Sequence, residues 1–247
     1  MSKVSKITIS SLIAIVAAVL VIIPITSCSP TQTTYDKYYD LQFERGGRAA
    51  MPENTLYAFT YAIEQGATTI ETQLQMTKDG VIVTSHSPLL NPDITMDKKG
   101  NYVTGNEDIR TMNYSEVEQY NVGHIKKGTE YYKEFGKTQY EVDAKIPTLE
   151  ELLKLVQDSG NKEIMLNLET ELYPDPALGV LYQNNVDKNV FVNNILNLVK
   201  KYNMENRIII QSFDWSVFPI VDEFNPNILT AALWEEVGGP ELGVGNL

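Results

Sequence analysis

Beyond an N-terminal stretch that is almost wholly apolar, hydrophobic positions recur in two alternating rhythms. Short apolar runs at strand spacing occupy residues 41–43, 68–74, 81–85, 164–168, 207–211 and 228–233. Between them lie segments with a helical repeat. Leu56, Phe59 and Ile63 share one face of a helix that starts at Asn54, a good N-cap residue, runs through Gln65 and stops at Gly66. Thr148-Leu149-Glu150-Glu151 forms a capping box ahead of Leu149, Leu152, Leu153 and Val156, and Gly160 closes that helix. Phe191, Ile195, Leu198, Val199 and Tyr202 mark another. Lys78-Asp79-Gly80 supplies a turn between the second and third strands. Short strands alternating with amphipathic helices predict βα units on a parallel sheet.

Residues 89–145 break this rhythm. The stretch is polar, rich in Tyr and Asn, and too long for an ordinary βα loop, which predicts an insertion over one face of the domain. Tyr131 and Tyr140 are expected to pack that insertion, His124 to lie on its surface, and Trp215 and Trp234 to pack the barrel or its helices. A closed (β/α)8 barrel needs eight strands. Six are legible, and residues 243–247 continue neither helix nor strand. The expected fold is therefore α/β, a (β/α)8 TIM barrel lacking its last two βα units, with a smaller doubly wound sheet as the alternative.

The N-terminus changes the picture of where the domain works. Lys3 and Lys6 precede an uncharged apolar run over residues 7–24, followed by Ile25-Thr26-Ser27-Cys28. A basic start, an apolar middle and small residues before a cleavage point describe an export signal. The tetrapeptide resembles a bacterial lipobox, in which Cys28 receives lipid after cleavage. Cys28 is the sole cysteine, so no disulfide competes for it. The alternative is an uncleaved anchor, since the run approaches the roughly 20 residues that span a bilayer. The chain thus divides into a signal peptide (1–27), a tether (28–39) and a domain (40–247), held by lipid in the cell envelope on the outer side of a bacterial membrane. Acidic residues exceed basic ones by 32 to 20, giving −12, and removing the two leader lysines leaves −14 on the remainder. Such a surface repels phosphate backbones and excludes nucleic acid as a partner.

Barrels keep their chemistry at the C-terminal ends of strands. Glu71 and Gln73 are two apart on the second strand and share a face. Glu169 closes the fourth strand, and His86 follows the third. Carboxylates from separate strands with a nearby imidazole can hold a hard cation and exchange protons. Charged residues merely solvated at strand ends give the same pattern.

Longer sequence words sharpen this. Leu41-Gln42-Phe43-Glu44-Arg45-Gly46-Gly47-Arg48, Pro52-Glu53-Asn54-Thr55-Leu56, Gly66-Ala67 through Lys78-Asp79-Gly80, Asn91-Pro92-Asp93-Ile94-Thr95, Ile146-Pro147-Thr148-Leu149-Glu150-Glu151 and Gln211-Ser212-Phe213-Asp214 occur in order between about Asp40 and Trp234. Together they resemble the glycerophosphodiester phosphodiesterase family. The resemblance implies a barrel that hydrolyses glycerophosphodiesters, such as deacylated phospholipid head groups, to glycerol 3-phosphate and an alcohol. It also implies a divalent cation, usually calcium in exported members, held by two Glu and an Asp. Two His act as acid and base, and an Arg contacts phosphate.

Carried over by position, Arg45 meets the phosphate, Glu71 and Glu169 bind metal, and His86 is catalytic. Other positions depart from the pattern. Glu44 stands where the first His is expected, Gln73 where the metal-binding Asp is, Ser87 for the Asp after His86, and Glu171 for a Lys. Phe43 replaces a small Gly. An unperturbed Glu titrates near about 4.3 against about 6.5 for His. Gln73 brings an oxygen but no charge, and Glu171 reverses a charge beside the phosphate. The site is expected to hold calcium weakly, with Glu44 and Glu171 as sources of the missing carboxylate. Two functional readings follow: hydrolysis with Glu44 as base and His86 as acid, or a catalytically impaired binding lipoprotein.

Overall fold

The computed structural model describes residues 39–172 and 186–234. The expected leader, Cys28, the tether as far as residue 38, and the tail beyond Trp234 lie outside the described residues. Among the described residues, no helix is long and apolar enough to cross a membrane.

In chain order the elements are β1 (Gln42–Phe43), α1 (Leu56–Glu64), β2 (Thr69–Met76), β3 (Ile82–Thr84), α2 (Tyr114–Val117), α3 (Glu130–Phe135), α4 (Leu149–Asp158), β4 (Met165–Glu169), α5 (Lys188–Lys201), β5 (Ile208–Ser212), α6 (Phe218–Phe224) and β6 (Leu229–Ala232). The strands β1-β2-β4-β5-β6 pair side by side, every pair parallel. Each step along this path passes through a helix, which is the winding of a (β/α) barrel.

Alternation along β2 explains where the core and the site lie. Ile70, Thr72 and Leu74 face one way and Glu71, Gln73 and Gln75 the other, and all six are buried. The apolar side meets Phe59 of α1, Leu152, Leu153 and Val156 of α4, and Phe191, Ile195 and Val199 of α5 in one continuous core. Ordinary barrels also fill the inner side with branched apolar residues. Here the inner side is polar, and buried polar groups must bond one another. Asn167 Nδ2 donates to Gln211 Oε1 at 2.8 Å and Gln42 Oε1 at 3.2 Å, tying β4 to β5 and β1.

Several expectations are corrected. Strand β3 is no stave of the parallel sheet. It pairs antiparallel with the end of β2, Leu74 opposite Thr84 and Met76 opposite Ile82. A turn as short as Lys78-Asp79-Gly80 can only reverse the chain, because a parallel crossover needs about a dozen residues or more. The N-cap of α1 is Thr55, whose Oγ1 accepts from the Ala58 amide at 3.2 Å, and the helix ends at Glu64. Asn54 sits just outside it at φ 54°, a left-handed conformation that Asn tolerates better than most residues, with its side chain turned inward. Helix α6 was not legible, being only seven residues long with Pro219 in its first turn. Trp215 and Trp234 are 52% and 72% exposed instead of packed, although Trp215 Nε1 donates to the Leu233 carbonyl at 2.8 Å.

The insertion has a core of its own. Leu90, Val103, Ile109, Val117, Val122 and Ala144 cluster with Val83 and Ile146. Ile94, Ile125 and Phe135 form a smaller group, joined by Tyr131 and Tyr132. Tyr140 is exposed, contrary to expectation. Strand-like passage of two segments here is very close: a Cβ at Gly123 would lie 1.6 Å from the Val142 carbonyl oxygen.

Candidate functional site

The link from β1 to α1 is a tight turn built to aim one side chain inward. Arg45, Gly46 and Gly47 all have positive φ, at 51°, 74° and 102°. Gly46 lies flush on α1, where a Cβ would come within 2.7 Å of Phe59 Cδ1. The turn points the Arg45 amide at β2, and it donates to Glu71 Oε2 at 2.8 Å. The guanidinium is buried, and its Nη1 donates to both Glu53 oxygens at 3.1 and 3.2 Å. Tyr131 of the insertion donates its hydroxyl to Glu53 Oε2 at 2.8 Å. Burial works against the Arg45 charge, but Glu53 and then Glu44 more than compensate and hold it above its ordinary pKa. Arg45 Nε has no hydrogen-bond partner although buried, and Glu44 Oε1 lies 3.7 Å from it. The same Glu44 oxygen is 3.3 Å from Arg48 Nη2, and the Arg48 guanidinium stacks 5.1 Å from the Phe135 ring centre.

Glu71, Gln73 and Glu169 meet on the inner side of the sheet as their spacing predicted, with Gln73 directly opposite Glu169 in the β2–β4 register. Gln73 Nε2 donates to Glu71 Oε1 at 2.5 Å. Gln211 Nε2 donates to Glu169 Oε2 at 3.3 Å. Burial pushes Glu71 up to about 8, against the Arg45 amide and with the Glu169 charge adding to it. Both Glu71 oxygens nevertheless accept N–H bonds, which favours the ionised form and moderates that rise. Burial likewise raises Glu169, opposed by its bonds from Gln211 and Gln73.

His86 Nε2 stands 3.7 Å from Glu171 Oε1, and the Glu171 side chain is almost fully buried. Burial first, and then the Arg45 charge, pull the imidazole down to about 4. At neutral pH it is therefore uncharged and holds no extra proton to give. A lowered pKa leaves His86 without the extra proton the expected acid would carry, and it also makes the neutral ring a weak base. Ser87 is spent locally, its Oγ accepting from the Leu89 amide at 3.1 Å. His124 lies in the insertion as expected, held at 2.7 Å by Asp143.

One open pocket of about 480 Å³ gathers Glu44, Arg45, Glu71, Gln73, His86 and Glu169, whereas Ser87 does not line it. It is also lined by Arg48, Asn167, Glu171 and Gln211, of which Arg48, Asn167 and Gln211 carried no sequence prediction. Asn167 had a readable signal, since it sits two before Glu169 on the same face of β4. Glu53, eight residues from Arg45, stood in the Pro52–Leu56 word without an assigned role, while Tyr131 had no signal because it reaches Glu53 from the insertion. Asn167 Oδ1 is a second buried polar atom without a partner.

The donor set does not fit a divalent cation. Hard cations want converging oxygens and net negative charge. Gln73 turns its N–H side to the carboxylates, while its oxygen accepts from Asn54 Nδ2 at 3.0 Å. Glu44 and Glu171 do not supply the missing carboxylate: the first faces Arg45 and Arg48, the second His86. Among the described residues, no group of three or more His, Cys, Asp or Glu is placed to hold a metal ion.

Comparison with known proteins points to one family. The model of the glycerophosphoryl diester phosphodiesterase family matches residues 45–238. A glycerophosphodiester phosphodiesterase of Caldanaerobacter subterraneus subsp. tengcongensis is 30% identical over 191 residues, covering 77% of this chain and 65% of that protein. One from Bacillus subtilis is 30% identical, covering 77% of this chain and 58% of its own length. The chain thus spans somewhat less than two thirds of these curated relatives. A solved Silicibacter pomeroyi structure named for the same activity superposes with a TM-score of 0.72 at 31% identity, covering 82% of this chain and 67% of that one. An Oleispira antarctica phosphodiesterase, solved in complex with the product sn-glycerol-3-phosphate, shares the fold with a TM-score of 0.58 at 20% identity, over 82% and 68% of the two chains.

Proposed function

This chain belongs to the glycerophosphoryl diester phosphodiesterase family, and on that premise we propose that its pocket binds glycerophosphodiesters while the family's rapid hydrolysis has been lost. The observation that carries the binding half is Arg45. Its guanidinium is buried and anchored by Glu53, its Nε has no hydrogen-bond partner, and the residue lines a pocket together with Arg48. A planar guanidinium with a free donor suits a phosphodiester oxygen, and Arg48 adds a second positive charge. Glu44 now contacts both arginines, so an incoming phosphate competes with it.

The loss of turnover rests on the proton-transfer groups. His86 is held neutral, without the proton an acid must give and with a pKa that makes it a weak base. Glu44, standing for the partner His, turns its carboxylate to the arginines. General acid–base catalysis contributes about 10²–10⁴-fold, so an unassembled acid and base alone slow the reaction by that order.

The test is calorimetric titration of the full chain with glycerophosphoethanolamine, with glycerol 3-phosphate release followed in parallel. Saturable binding that Arg45→Gln abolishes, with negligible release, is the expected result. Restoring Glu44→His, Gln73→Asp, Ser87→Asp and Glu171→Lys together should then create calcium-dependent release. No binding at all defeats the reading. Turnover by the unaltered chain at about 1 s⁻¹ or faster, an ordinary enzymatic rate, would instead establish a working phosphodiesterase. The same proposal places the protein at the cell envelope, held by lipid on Cys28, for which loss of fatty-acid labelling in Cys28→Ala is the check.

A further inference from the structure

Glu71 and Glu169 pose a charge problem that the fold must solve. Both are 6% exposed and project from neighbouring strands into the same inner layer. Burying ionised carboxylates without compensating partners is costly. A divalent cation is one solution. The structure shows another.

Gln73 lies two residues from Glu71 on β2 and directly across from Glu169 on β4. Its amide donates to Glu71 Oε1 at 2.5 Å, and its N–H side holds down the pKa of Glu169 across the register. In its ionised form Glu71 only accepts, so this bond uses an N–H hydrogen, and the NH2 group has a second to give toward Glu169. The orientation is fixed from the far side, where Asn54 Nδ2 donates to Gln73 Oε1 at 3.0 Å. A flipped amide would set oxygen against carboxylate oxygen and NH2 against NH2. Asn54 cannot easily turn to relieve that, because the Thr72 hydroxyl donates to its Oδ1 at 2.8 Å while its backbone N–H, donating to the Arg45 carbonyl at 2.9 Å, anchors the residue.

We propose that this pocket is built to work without a divalent cation: the Gln73 amide bridges Glu71 and Glu169 in a cation's stead, and its one oxygen is committed to Asn54. The amide orders the pair but brings no net charge. Among the described residues lining the pocket, positive charge therefore comes from Arg45 and Arg48, and ligand binding does not require a metal.

The experiment uses the full chain and the ion itself, so its result is separable from whether the pocket takes a glycerophosphodiester. Calcium chloride, and separately magnesium chloride, is titrated calorimetrically into the chelator-treated protein, with the melting temperature read in parallel. No saturable heat is expected for either ion up to about 10 mM, beyond the roughly 10⁻⁴–10⁻³ M dissociation constants of extracellular calcium sites. The melting temperature should not respond to either ion. Gln73→Asp exchanges two donors for a third carboxylate, and should gain calcium affinity at least about tenfold and a calcium-dependent rise in melting temperature. Saturable calcium binding by the unaltered chain, removed in Glu71→Gln, would overturn the proposal whether or not Gln73→Asp folds. So would a folded Gln73→Asp that binds calcium no better than the parent.

Discussion

The hydroxyl of Tyr131 offers the sharpest check on how the insertion supports the site. It donates to Glu53 Oε2 at 2.8 Å, and Glu53 in turn holds the buried Arg45 guanidinium. Tyr131→Phe removes one oxygen and keeps the ring against Phe135, whose centre is 4.8 Å away. Gln139 loses a weak 3.3 Å contact to the hydroxyl but retains its 2.6 Å bond to the Arg48 carbonyl. A hydrogen bond to a charged group contributes about 1.5–3 kcal/mol, so the expected loss is about 2 kcal/mol. For a domain of this size that lowers the melting temperature by about 4–8 °C. Urea unfolding, with the slope checked for constancy, measures the change directly. The decisive version is a cycle with Glu53→Gln, which alone should cost about 3–5 kcal/mol by leaving Arg45 buried without its counter-ion. In that background the phenol has no carboxylate to bond, and Tyr131→Phe should cost at least about 1 kcal/mol less than in the parent. A cost within about 0.5 kcal/mol for the single substitution, or additivity within about 0.5 kcal/mol in the cycle, would refute the idea that the insertion clamps Arg45 through Glu53.

Glu44→Gln should raise affinity for glycerophosphoethanolamine about tenfold, because the resident carboxylate no longer competes for Arg45 and Arg48 (about 1.4 kcal/mol); unchanged affinity by calorimetry would show that the phosphate binds elsewhere. His86, lowered from 6.5 to about 4, favours the folded state most when neutral. Its contribution is therefore complete above pH 6.5 and is lost as pH falls through 4, by about 3 kcal/mol at about 1.4 kcal/mol per pH unit. Stability of His86→Asn should lack that part of the acid dependence, and an NMR titration placing the imidazole near 6.5 would contradict it. Gly123→Ala forces a methyl into the Val142 carbonyl and should cost about 3 kcal/mol or more, read as early protease cleavage within residues 89–145.

What the sequence determined by itself is the set of local patterns. Period-two alternation put Glu71 and Gln73 on one face, the capping box at Thr148 and Glu151 started α4 where expected, and ordered motifs identified the family. These are legible because they depend on neighbours a few residues apart. The tertiary structure decided what local spacing cannot carry. Whether β3 ran with the sheet or against it was settled by pairing with the end of β2. Whether Gln73 presents oxygen or N–H to the carboxylates was settled by Asn54, nineteen residues earlier and on no strand. The anchoring of Arg45 by Tyr131 joins residues far apart in the chain, and the low pKa of His86 comes from burial and charges brought in from the β1–α1 turn. Identity of the groups was written in the sequence; their orientation and protonation depend on desolvation and long-range partners, which exist only once the chain has folded.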